Sequence, residues 1–331
     1  MTTEQSTKNR AARGRLLYAL PLALLIAGTI QVFAKQQTPS GSTTQEPTVQ
    51  GEAARDNDVE TAYVAVLDKK GNAVTDLKRE EFSVKEDGEV REVVEVESET
   101  KTPLTIGVLT DVSGSTSMDK QRKEKLLAFP SFLAKTLQGS DEAFVAGFAD
   151  RCSAVTGLTN DAVELRTGLQ KIAEARPSGA TALYDCLVSA AETLEKERGR
   201  RRVILAMSDF EDNASRHSLQ KTVLRMQETR TAVFPLVELT LPTDSRRARK
   251  QALEAANAIA KESGGAAYVF DKPQGLETAL ERIRIVLRNS YALKYRTSGA
   301  AKKGKSTALK IEVQRKDVVV IAAGGRVAEV R

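Results

Sequence analysis

The sequence predicts an α/β fold: a doubly wound, mainly parallel six-stranded sheet, flanked by a small β-domain built from N- and C-terminal segments. Three observations predict it. Short apolar runs alternate with amphipathic helical patterns through the middle of the chain, as a parallel sheet covered on both faces requires. On either side of that region the pattern changes to short alternating runs separated by turn signals, as half-buried strands show. The chain has 331 residues, 41% hydrophobic and 28% charged, which is enough for one sizeable core and a smaller unit.

Within the middle region, strands are expected at 104–110, 143–148, 153–158, 202–207, 231–239 and 266–270. Helices are expected at 119–138, 160–173, 181–198, 216–229, 246–263 and 275–289. Pro130 should kink the first of them. The short link from 148 to 153 predicts a hairpin, hence one antiparallel edge strand. Upstream, 59–67, 82–85 and 90–96 read as strands, with a hairpin turn at Asp87-Gly88. Downstream, 291–296, 308–314 and 318–322 read as strands. Such fragments bury too little alone. The economical arrangement pairs 58–100 with 291–331 around a central domain at 101–290.

The N-terminus reads as a targeting segment. Lys8, Arg10, Arg13 and Arg15 precede the apolar stretch 16–34, with small residues placed for cleavage after Ala34. Residues 1–34 are therefore expected to be a signal peptide or an uncleaved anchor, and 35–57 a flexible linker. The chain is expected to be exported, periplasmic or extracellular, touching membrane only through this segment. Half of the formal charge of +6 lies in residues 1–34. The remainder is too small to argue for nucleic acid, and there is no Trp to build a stacking platform. The basic runs at 199–202 and 246–250 read as solvated faces or helix ends. Two cysteines, Cys152 and Cys186, suit an oxidising compartment. They can pair as a disulfide or remain two separate buried thiols; the sequence leaves both open.

The chemistry concentrates at Asp111-Val112-Ser113-Gly114-Ser115, which ends the apolar run 104–110. A carboxylate and two hydroxyls alternate along a strand-to-helix turn. Such oxygen-only donors suit a hard divalent cation. Two further pieces point to the same edge. Ser178-Gly179-Ala180-Thr181 presents a hydroxyl before a helix, and Asp209 follows the buried run 203–208. In open α/β sheets, ligands bind outside the carboxyl ends of the strands. Taken singly, each piece is an ordinary helix cap, and Thr181 can simply cap the helix that follows.

Asp-x-Ser-x-Ser, a Thr in a Gly-x-Thr loop, and an Asp after a later strand, in that order, resemble the metal-ion-dependent adhesion site (MIDAS) of von Willebrand factor A (VWA) domains. The match spans about residues 101–290 and implies a VWA/Rossmann-like sheet. The flanks, "VAVLDKKGNAVTDLKREEFSVKEDGEV" from Val64 and "SYALKYRTSG…TALKIEVQRKDVVV" at the other end, resemble exported bacterial VWFA-related proteins of the acidobacterial type. The resemblance implies that Ser113, Ser115 and Thr181 hold Mg²⁺ (or Mn²⁺ or Ca²⁺) directly. Asp111 and Asp209 would act mainly through waters and hydrogen bonds to the serines. A partner protein's Asp or Glu would complete the shell, with Phe210 and Met118 adding apolar contacts at the rim. Phe210 stands where the family often has Gly. The resemblance also implies that a shift of the last helix, 275–289, couples to the site.

Catalysis is not expected. His217 is the single histidine; it reads as an exposed helix-start residue, although Glu211 and Asp212 lie near it. No nucleophile elbow or phosphate-binding loop is present. The alternatives are a structural envelope protein with an inactive metal site and, less favoured, a metal-dependent hydrolase with Asp111 as nucleophile.

Overall fold

The computed structural model describes residues 59–99, 102–197, 200–239, 245–297 and 309–323, all within the unit Ala53–Arg331. The segments 1–34 and 35–57 lie outside the described residues. Its central sheet has six strands: β5 (Leu104–Asp111), β6 (Glu142–Phe148), β7 (Cys152–Ala154), β8 (Arg201–Ser208), β9 (Thr231–Glu238) and β10 (Tyr268–Phe270). Their order is β10-β9-β8-β5-β6-β7, parallel except for the hairpin strand β7. Every residue of β5 and β9 is buried, as a sheet covered on both faces dictates.

Helices α1 (Arg122–Leu126), α2 (Ala128–Thr136), α3 (Ala162–Glu174), α4 (Leu183–Glu195), α5 (Leu219–Glu228), α6 (Arg246–Ser263) and α7 (Pro273–Arg288) cover the sheet. Two apolar clusters line its faces. Phe129, Leu165, Leu205 and Ile283 belong to one; Leu109, Leu187, Ile204 and Ile259 belong to the other. Caps set the helix starts. Asp161 accepts from Val163 N and Glu164 N, while Ser218 and Ser245 accept from Lys221 N and Ala248 N. Gly264, at φ 88°, ends α6 in the left-handed conformation that glycine adopts without strain.

The helix expected at 119–138 is two helices, and the break falls at Leu127 rather than Pro130. Pro130 sits in the first turn of α2, where a missing N–H costs no intrahelical bond. The strand expected at 153–158 is also shorter. The residues beyond Ala154 stay beside β6 through Val155 N to Val145 O and the bridge between Ala143 and Thr159.

The flanks form two sheets. One, ordered β13-β1-β11-β4, holds β1 (Val59–Asp68), β4 (Val93–Glu99), β11 (Ser290–Arg296) and β13 (Val318–Ala323). The other, ordered β12-β2-β3, holds β2 (Phe82–Glu86), β3 (Glu89–Arg91) and β12 (Leu309–Val313). The run expected as one strand at 90–96 is thus divided between two sheets. Asp87 (φ 52°) and Gly88 (φ 89°) make the two-residue turn joining β2 to β3. Period-two alternation gives β1 two jobs. Ala62, Val64 and Val66 enter the small β core, whereas Ala65 and Leu67 join the main core beneath α7.

In the basic run 199–202, expected as a solvated face or a helix end, Arg201 and Arg202 instead open β8. Arg201 is buried, lies 4.9 Å from the Tyr63 ring and donates to Leu287 O. Arg202 donates to Thr229 O. Arg201 and Arg288 hold the carboxyl end of α7: Arg288 donates to Thr136 O and pairs with Asp141. One residue later the chain enters β11, hydrogen-bonded on both sides by β1 and β4.

Candidate functional site

The carboxyl ends of β5 and β8 lie side by side, and this adjacency brings the first and third pieces together. Asp111 closes β5 and is buried. Its Oδ1 accepts from Ser113 N at 2.8 Å, which bends the chain out of the strand. The turn then runs as a 3-10 helix, Gly114–Met118, and places Ser113 Oγ 3.2 Å from Ser115 Oγ. The second oxygen of Asp111 accepts from Ser208 Oγ at 2.6 Å. Asp209 Oδ1 stands 3.3 Å from that same hydroxyl.

The Thr181 loop is tied to both neighbours through backbone. Gly114 N donates to Gly179 O, and Ser178 N donates to Val112 O, each at 3.0 Å. Thr181 N donates to Asn213 Oδ1 at 2.7 Å, and Thr181 O accepts from Asn213 N and Ala214 N. Thr181 does not cap the following helix. The residue at that position is Ala182, without a side-chain bond. The first turn of α4 is satisfied instead from the 209–217 loop, by Asp212 on Tyr184 N and Ser215 on Asp185 N. Ser208, Asp212, Asn213 and Ser215 carry this arrangement, and none of them stood out in the motif.

Electrostatics mark the two acids. Burial pushes the Asp111 carboxyl up, against the hydrogen bonds of Ser113 and Ser208 and the Arg122 charge. Burial also pushes Asp209 up to about 6, helped by the nearby charges of Asp111 and Glu211 and opposed by the Glu211 N–H. Arg122 is committed elsewhere: its guanidinium donates to the carbonyls of Ile172, Ala173 and Ala175 at the end of α3. Among the described residues, no group of three or more Asp, Glu, His or Cys side chains could hold a metal ion.

Two rim expectations separate. Met118 is 73% exposed beside the serines, but Phe210 is buried under α4 and α6, with its backbone at φ 63°. Phe210 offers no surface to a partner. His217 finds its acid on α4 rather than in its own loop: Nδ1 lies 2.6 Å from Asp185 Oδ1, which also accepts from His217 N. Cys152 and Cys186 form a disulfide, with Cα atoms 4.9 Å apart.

The family described as "VWA domain containing CoxE-like protein" matches residues 76–265, more than half of the chain. The chain belongs to that family. Among solved structures, a von Willebrand factor type A protein from Catenulispora acidiphila aligns with 9% identity and a TM-score of 0.49, over 83% of this chain and 73% of that one. The conserved hypothetical protein BatB from Bacteroides thetaiotaomicron aligns with 14% identity and a TM-score of 0.44, over 55% of this chain and 98% of its own. A mutant of the PilB minor pilin from Streptococcus sanguinis aligns with 12% identity and a TM-score of 0.44, over 57% of this chain and 62% of that one. None of the curated proteins matches. In this VWA domain the adjacent ends of β5 and β8 carry Asp111 and Asp209, and backbone hydrogen bonds tie the Thr181 loop to the serine turn.

Proposed function

We propose that this VWA domain is a metal-dependent protein-binding module. Ser113, Ser115 and Thr181 would hold Mg²⁺, or Mn²⁺ or Ca²⁺, with Asp111 and Asp209 acting through hydrogen bonds and water. A hard divalent ion there supplies the positive charge on which a partner's Asp or Glu carboxylate can land. The chain's own residues do the rest. Ser208 orients Asp111, Asn213 fixes the Thr181 backbone, and Met118 offers an apolar contact at the rim.

One observation carries this reading. Asp111 and Asp209 are brought together in a buried setting that raises both carboxyls, next to paired serine hydroxyls. Two acids so placed repel one another and are stabilised by a cation. The donors are all oxygen, which fits a hard divalent ion and gives a soft one little to hold. The reading extends to an exported protein: the N-terminal apolar segment and the disulfide both suit a non-cytoplasmic compartment.

Titration calorimetry with Mg²⁺ and Mn²⁺, on the full chain and on Ser113→Ala and Asp111→Ala, tests the ion. Capture of partners from envelope extract, with Mg²⁺ or with excess chelator, tests the module. Heat of binding that disappears in both variants while their circular dichroism stays native is expected, together with capture that chelator abolishes. Undiminished capture in chelator and in both variants would sink the proposal.

A further inference from the structure

The turn 149–152, between β6 and β7, grips the Thr181 loop at three points. Ala182 N donates to Ala149 O at 2.8 Å. Ala180 N donates to Asp150 Oδ1 at 2.9 Å. The disulfide between Cys152 and Cys186 closes the third point, one turn into α4. Thr181 lies between the two hydrogen-bonded residues.

Gly179 shows how closely the turn is fitted. Its φ is +88°, and a Cβ built there would stand 2.2 Å from Asp150 Oδ2. Only a residue without a side chain lets the Asp150 carboxylate lie against the loop in this way. Gly179 O in turn accepts from Gly114 N of the serine turn. Asp150 therefore presses on one of the two residues, Gly179 and Ser178, whose backbone bonds join the Thr181 loop to the turn carrying Ser113 and Ser115.

We infer that Asp150 is a positioning residue for Thr181, with the disulfide as the anchor of its turn. It acts by accepting the Ala180 N–H and seating Gly179, which fixes the backbone that carries Thr181. This inference rests on the metal-binding reading for its purpose, but the clamp itself has a readout without metal. Asp150 is exposed, so its replacement leaves the core untouched.

The test compares Asp150→Ala and Asp150→Asn in the full chain, by Mn²⁺ titration and by amide hydrogen exchange at Ala180 and Thr181. Alanine removes the acceptor; asparagine keeps an oxygen at the same place without the charge. Asp150→Ala should bind Mn²⁺ about 10-fold more weakly, in the range of lost outer-shell partners. It should also exchange those two amides faster, with β5 and β8 unchanged, and Asp150→Asn should restore both. Wild-type affinity and exchange in Asp150→Ala would overturn the inference. So would Asp150→Asn behaving like Asp150→Ala, since charge would then be the agent. If the unmutated chain takes up no Mn²⁺, the metal reading falls. The clamp then stands or falls on the exchange rates, faster in alanine alone or the same in all three.

Discussion

Ser208 Oγ donates to Asp111 Oδ2 at 2.6 Å across the β5–β8 boundary, and Ser208 Oγ itself accepts from Phe210 N at 3.1 Å. One hydroxyl thus joins the ends of two strands and orients the acid that leads the serine motif. Asp209 Oδ1, at 3.3 Å, competes for the same proton. Ser208→Ala leaves a buried carboxylate oxygen without its donor. A hydrogen bond to a charged group is worth about 1.5–3 kcal/mol. The variant should lose stability of that order in urea titration. Its Mn²⁺ affinity should also fall by about 10-fold, as for other outer-shell partners. Unchanged values for both would show that Asp111 needs no help from β8.

The fold was legible because its signals are redundant. Apolar runs and turn residues agree on the same elements, and the structure seats Asp161 and Ser245 as caps at two of the helix starts. The misreadings have local causes. Pro130 looks like a breaker, but a proline in a first turn lacks only an N–H that has no intrahelical partner. The run 90–96 is continuous in hydropathy, and nothing in it announces that its halves serve different sheets. At the site, Asp111, Ser113 and Ser115 were legible because they are close in sequence and alternate. Ser208 left a faint signal, a hydroxyl ending an apolar run. Asp150 and Asn213 left none, because their roles consist of backbone contacts 30 and 32 residues away.

Asp185 predicts an acid-range dependence of stability. Burial raises its carboxyl, but the His217 N–H and ring, with the Arg216 N–H and guanidinium, outweigh it and bring it down to about 2. A depressed carboxyl stabilises the folded state above its unfolded value near 4, and that contribution is lost as pH falls toward 2. The stability difference between the wild type and Asp185→Asn should therefore be largest above about pH 4 and shrink toward about pH 2. Urea titrations at several acid pH values measure it. A difference that stays constant with pH would contradict the assignment.

Lys125 should be costly to neutralise. It is buried, with Nζ 3.2 Å from Asp119, in contact with Glu238, and 6.0 Å from the Phe270 ring. Asp119 closes the 3-10 turn that carries Ser115, and Glu238 ends β9. Removing one partner of a buried ion pair leaves charge uncompensated, at a cost of about 3–5 kcal/mol. Lys125→Met should lose stability of that order. The triple variant Lys125→Met, Asp119→Asn, Glu238→Gln should recover most of it, because no buried charge is then left alone. A triple variant as unstable as the single one would mean that packing, not charge, sets the loss.

Phe210 sets two effects against each other. Its ring is 1% exposed within the cluster beneath α4 and α6, yet its backbone holds φ 63°. A left-handed residue with a Cβ costs about 1–2 kcal/mol. Truncating a buried Phe costs about 3–5 kcal/mol. Burial wins, which explains why this chain tolerates Phe at a position suited to Gly. Phe210→Gly should therefore destabilise by a few kcal/mol despite relieving the backbone. The sharper test is the comparison with Phe210→Ala. Both variants lose the ring, but only alanine keeps a Cβ in the left-handed region. At ordinary positions Gly is the less stable of the two, because its unfolded chain is freer. At 210 the order should invert, with Gly ahead of Ala by about 1 kcal/mol. Thermal unfolding of the pair decides it, and alanine ahead of glycine would show that the backbone here is under no strain.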